Sequence, residues 1–151
     1  MRTHLFSASA DGPLVPVEVT LPLVNIQALR QAGAPLPAPI AVQALIDTGA
    51  DVTVLDPSVL SPLITLGLQP VKIHFVNAPA LGGTSTVTEY SVGLTIAPVA
   101  GQPRSGLALR SHPVVERPLG VLGYRALIGR DVLDLCVLMY DGPGRRFTLA
   151  F

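Results

Sequence analysis

The sequence has a single cysteine, Cys136, a single lysine, Lys72, and no apolar run near the roughly 20 residues of a membrane span. One cysteine excludes an internal disulfide framework and fits a reducing compartment. Ten acidic and ten basic residues cancel. No basic stripe is present to displace counterions from a nucleic acid or to seek an anionic membrane, so neither partner is expected. His4, His74 and His112 stand far apart, without paired spacing to Cys136 or to a carboxylate, so no metal and no cofactor are expected. Gly-x-Ser-x-Gly and Gly-Lys-Ser/Thr are both missing, which removes the serine-elbow hydrolase and the phosphate loop. The start, Met1 to Phe6, meets Ser9, Asp11 and Gly12 too soon for a signal-peptide apolar core, and a cytoplasmic location is expected.

What the chain has is apolar residues, 49% against 13% charged. That is lean for a small monomer with a surface to wet, and it points to apolar surface hidden in an oligomer or to a Pro/Ala-rich β protein. The dominant pattern has period two. Val15, Val17, Val19 and Leu21 alternate with polar residues and prolines, and Pro16 argues for an edge or short strand. Asn25 to Pro39 reads as a loop with one helical turn near Ile26–Gln31. Ile40–Ile46 and Val52–Leu55 read as strands, followed by a short helix from Pro57 to Leu60 capped by Asp56. Val71–Val76 and Tyr90–Ile96 read as strands around a small-residue tip, and Leu107–Val115 as a strand broken near Pro113. Arg125–Ile128 reads as a strand, Asp131–Cys136 as a helix, and a hairpin closes the chain. Residues 1–13 are expected to be a tail and 14–151 one domain.

Asp47-Thr48-Gly49 lies where a buried strand stops and a tight turn begins. Such a position holds a carboxylate on a rigid strand end. By composition the triplet arises by chance in about 3% of chains this long, so alone it fits an ordinary strand-to-turn aspartate equally well.

Its surroundings are more specific. The run Ala44-Leu45-Ile46-Asp47-Thr48-Gly49-Ala50-Asp51-Val52-Thr53-Val54-Leu55 resembles the active-site segment of retropepsin-like aspartic proteases. Leu127-Ile128-Gly129-Arg130-Asp131-Val132-Leu133 resembles that family's second signature, and Leu81-Gly82-Gly83-Thr84 falls where the family carries its substrate-covering flap. Phe147 to Phe151 resembles the terminal strand used at the family's dimer interface. The resemblance implies an all-β fold, a closed acid-protease barrel with one short C-terminal helix. It implies that Asp47 is the catalytic acid/base, that Thr48 bonds across a two-fold axis, and that Gly49 exposes backbone to substrate. Ala50 would belong to the active-site loop and Asp51 would line the pocket, with Arg130 pairing with Asp51 beside Ile128 and Gly129. Asn25–Pro39 and Ile96–Ala126 are longer than the compact viral pattern needs.

Peptide hydrolysis by this route takes two carboxylates sharing a proton. The chain has one Asp-Thr-Gly and no Asp-Ser-Gly, so the resemblance implies an isologous homodimer acting on peptide substrates. The alternative is a non-catalytic module that keeps the fold to dimerise or to bind peptides. Ala50, unlike serine or threonine, cannot hydrogen-bond a neighbouring carboxylate to favour its ionised form. The expected activity optimum is therefore mildly acid to near neutral. A pH–rate profile peaking only in strong acid would contradict it.

Overall fold

Along residues 14–20, alternation sends Val15, Val17 and Val19 into the interior and leaves Glu18 outside, and strands are the commonest element of the fold. The computed structural model describes residues 1–78, 83–97, 106–120 and 123–151, with the backbone alone at 75–78 and 83–85. In chain order the elements are β1 (Thr3–Ser7), β2 (Leu14–Thr20), α1 (Leu23–Gln31), β3 (Ile40–Ile46), β4 (Val54–Leu55), α2 (Pro57–Thr65), β5 (Pro70–Ala78), β6 (Gly83–Ile96), β7 (Leu107–Glu116), β8 (Ala126–Ile128), α3 (Arg130–Leu133), β9 (Val137–Asp141) and β10 (Arg146–Ala150). Among the described residues no helix is long and apolar enough to cross a membrane.

Six strands close a barrel in the order β2-β3-β8-β4-β7-β6, with β6 pairing back onto β2. Closure removes the open edges that such a sheet would otherwise present. Leu21, Leu55, Leu60, Leu94, Ile96 and Ile128 fill the interior at 0–1% exposure. β5 extends from β6 as the outer arm of a hairpin paired from Pro70↔Tyr90 to Ala78↔Gly83. The all-β barrel with a short C-terminal helix expected from the sequence is present, with α1 and α2 added to it.

Pro16 does not make β2 an edge strand. β2 pairs with β3 on one side and β6 on the other. Within a strand, one residue's N–H and C=O point the same way, and the Pro16 carbonyl accepts Ala97 N–H on the β6 side at 3.0 Å. The β2–β6 ladder ends at Val17↔Ile96, so the missing proline N–H falls just beyond it. Pro113 likewise leaves β7 unbroken. Val115 N–H donates toward β4, to Thr53 O, so Pro113 faces the same side before the β4 pairing begins.

The single helical turn expected near Ile26–Gln31 is a nine-residue helix. It stops at Gly33 (φ +65°), where Gly33 N–H donates to Arg30 O and Ala34 N–H to Leu29 O, the paired bonds of a Schellman stop. α2 runs a turn past the expected Leu60 despite Pro62, anchored by buried Val59, Leu60 and Leu63. α3 is shorter than the expected Asp131–Cys136 helix.

Thr3–Ser7, within the stretch read as a tail, form β1, which pairs with β10 in a second sheet of order β1-β10-β9. His4 and Phe6 face inward, His4 stacked on Phe151 at 4.9 Å and Phe6 on Phe147 at 5.1 Å. Phe6→Ala is therefore expected to cost about 3 kcal/mol in a urea titration. A loss within 0.5 kcal/mol would mean that β1 contributes nothing to the core.

Candidate active site

β3 and β8 run parallel and in register, Ala44↔Ala126 through Ile46↔Ile128, and end side by side. Asp47 follows one and Gly129 the other. Asp47 N–H donates to Ile128 O at 3.0 Å, continuing the ladder one residue beyond the strands. The chain then turns tightly: Ala50 N–H donates to Asp47 O at 3.2 Å, and Gly49 N–H to Asp47 Oδ1 at 2.9 Å. One carboxylate oxygen is thereby fixed by its own loop, and the side chain stays partly exposed.

The loop is also tied from the far side. Arg130 N–H donates to Ala50 O at 2.9 Å. Thr53, fully buried, gives its N–H to Asp131 Oδ2 and its hydroxyl to Asp131 Oδ1, both at 2.9 Å. Thr53 Oγ1 in turn accepts Gly129 N–H at 3.2 Å. The two segments cross so closely that a Cβ on Gly129 would lie 2.5 Å from the Val52 carbonyl carbon, a contact no side chain can make. The second signature is thus the other half of one backbone crossing.

The Arg130 guanidinium sits against the Asp51 carboxylate. Both side chains are largely solvated at 58% and 75% exposure, so the pair stabilises the fold by at most about 1 kcal/mol. Thr48, Gly49, Asp51 and Val52 are exposed, and among the described residues the Thr48 hydroxyl has no partner. Leu81 and Gly82 lie outside the described residues. Gly83 and Thr84 begin β6, paired with Ala78 and Asn77.

Beside the loop lies a cavity of about 710 Å³. Val54, Val87, Val115 and Leu127 supply apolar walls, Ala50 and Asp51 one rim, and His74 with Glu89 of the β5–β6 hairpin another. His74 Nε2 and Glu89 Oε2 are 2.6 Å apart. This arrangement can hold an extended chain across the loop with a medium apolar side chain in the cavity.

Two histidines that show no paired spacing in the sequence are paired in space: His74 with Glu89, and His112 Nε2 with Asp131 Oδ2 at 3.0 Å. No sequence signal marks the second contact, which depends on β7 passing α3. Burial pushes the Cys136 thiol up, away from the reactive thiolate. Among the described residues no cluster of His, Cys, Asp and Glu could hold a metal.

No protein-family model and no curated protein matches the sequence. Solved structures do. A retropepsin-like aspartic protease from Rickettsia conorii superposes with a TM-score of 0.54 at 12% identity, covering 97% of this chain and 89% of that one. The retroviral protease-like domain of Ddi1 from Leishmania major gives 0.40 at 15% identity, covering 86% and 82%. EIAV protease gives 0.39 at 20%, covering 81% and 85%. The Rickettsia structure carries the assignment: the fold is that of the retropepsin-like aspartic proteases.

Burial raises the Asp131 carboxyl, but hydrogen bonds from His112 and from the Thr53 N–H and hydroxyl outweigh it and hold the group below its ordinary value of 3.8. A depressed carboxylate stabilises the fold above the unfolded value, and that contribution disappears as pH falls through the folded one. Asp131→Asn places an amide donor against Thr53 N–H or its hydroxyl, and is expected to cost about 2 kcal/mol near pH 7. The gap to wild type should narrow only below about pH 3.8. Urea titrations of both proteins across pH 2–7 (roughly the span over which carboxylates titrate) check this, and a constant gap would contradict it.

Proposed function

We propose that the chain is one subunit of a homodimeric aspartic endopeptidase. The observation that carries this reading is Asp47 at the paired ends of β3 and β8, on an exposed loop beside the cavity, within a retropepsin-like fold. In the dimer two Asp47 carboxylates share one proton, because two in contact cannot both ionise cheaply. The ionised one takes a proton from water, whose oxygen attacks the scissile carbonyl carbon, while the other gives its proton to the carbonyl oxygen. The tetrahedral diol then collapses as the nitrogen is protonated and the C–N bond breaks, returning the pair to its starting state. The Thr48 hydroxyl, unpartnered among the described residues, bonds the partner's loop, and Gly49 offers backbone to the substrate. Asp51, held by Arg130, lines the cavity, and the β5–β6 hairpin covers the substrate as a flap.

β10 lies between β1 and β9, so it has no free edge to lend to a second copy. The pairs Leu5↔Thr148 and Thr148↔Met139 put exposed Leu5 and Met139 on one face of this sheet, and Ala150↔Val137 adds exposed Val137. That apolar face is the surface offered for association.

Peptide-library cleavage by wild type and Asp47→Asn, with pepstatin inhibition and molecular mass measured alongside, tests the reading. The variant is expected to lose activity by at least about a thousandfold while remaining a dimer. Equal cleavage by both proteins would expose a contaminant. A monomer at high concentration that cleaves nothing would leave the fold as a binding module.

A further inference from the structure

An ionised carboxylate offers acceptor positions only, and Asp131 has four donors around it. Oδ1 takes the Thr53 hydroxyl at 2.9 Å and Val132 N–H at 3.0 Å; Oδ2 takes Thr53 N–H at 2.9 Å and His112 Nε2 at 3.0 Å. Because the acceptor carries no hydrogen, His112 bears one on Nε2. Three donors belong to the two crossing segments themselves. The fourth comes from a third element, β7, which is fixed to β6 through Val92↔His112 and also reaches Thr53 O through Val115 N–H. The His112 side chain is only 11% exposed, so its ring has little freedom to leave.

We propose that His112 is a positioning residue for the Asp47 loop. It holds the Asp131 carboxylate from a fixed third point, and Asp131 holds Thr53 and, through it, the crossing over Gly129. Three of the donors tie the carboxylate only to the two segments it joins. The fourth ties the carboxylate itself to β7, a side-chain anchor for the end of the Asp47 loop beside the backbone bond from Val115 N–H to Thr53 O. The inference rests on the protease reading, since it assigns the loop a catalytic task, but the tie itself can be measured without activity.

His112→Phe keeps a planar ring and removes the donor; His112→Gln keeps an N–H at the reach of Nε2. In hydrogen exchange, the Thr53 and Gly129 amides of the Phe variant are expected to exchange about tenfold faster, the effect of one lost buried hydrogen bond, with β1 and β10 amides unchanged. On a peptide cleaved by wild type, the same variant should lose about tenfold in kcat with KM within about threefold, and the Gln variant should recover most of it. Uniform acceleration of all amides would make His112 an ordinary core residue and overturn the inference. Unchanged kcat in a folded His112→Phe protein, or Gln no better than Phe, would also overturn it. If wild type cleaves nothing, the protease reading fails, while local exchange still supports the tie and uniform exchange still refutes it.

Discussion

Everything at the site depends on two segments some eighty positions apart lying closer than side chains allow. β3 and β8 run parallel, and their continuations cross at Val52 and Gly129 with no room for a Cβ. Such proximity leaves backbone groups shut away from water, and each needs a partner. The structure supplies partners in both directions: Asp47 N–H to Ile128 O, Arg130 N–H to Ala50 O, and Gly129 N–H to the Thr53 hydroxyl. Asp131 completes the set by accepting from Thr53 twice. The carboxylate at 131 therefore does structural work that the one at 47 does not, and their settings differ accordingly. Asp131 is surrounded by donors, whereas Asp47 accepts the Gly49 N–H with one oxygen and keeps partial exposure.

Closure of the barrel explains why so short a strand as β4 can serve. Val54 pairs at once with Leu127 of β8 and Val115 of β7, so two residues suffice to return the loop to the wall. The same three residues line the cavity beside the loop. Loop geometry and cavity shape are thus set by one set of pairings, and a change to either disturbs both.

Much of this is visible in the sequence where period two is clean and burial simple. Ile40–Ile46 ending at Asp47, the β9–β10 hairpin and the strand before Gly129 all follow from local pattern. The misreadings have physical causes. Pro16 and Pro113 look like edge markers because one sequence cannot reveal which side of a strand lacks a neighbour. Gly33 looks like a loop glycine, yet it stops a helix whose weak amphipathy, with no buried residue, leaves little periodic signal. β1 is five residues long and buries a histidine, so its alternation is too brief and too polar to read. The contact between His112 and Asp131 joins two elements whose packing only the closed barrel decides, and no spacing rule reaches it.

The second sheet has a further consequence, for kinetics. Its strands lie far apart in the sequence, and its central strand, β10, is made after both of its neighbours. The face bearing Leu5, Val137 and Met139 therefore does not exist until β10 has been made; β1 must wait for β10. Pairing of copies across that face would follow as a second-order event, set by encounter between chains in which the sheet has formed. Doubling the concentration of dilute chains would then quadruple the initial rate of pairing, and any property belonging to the pair would show a lag that shortens as protein accumulates.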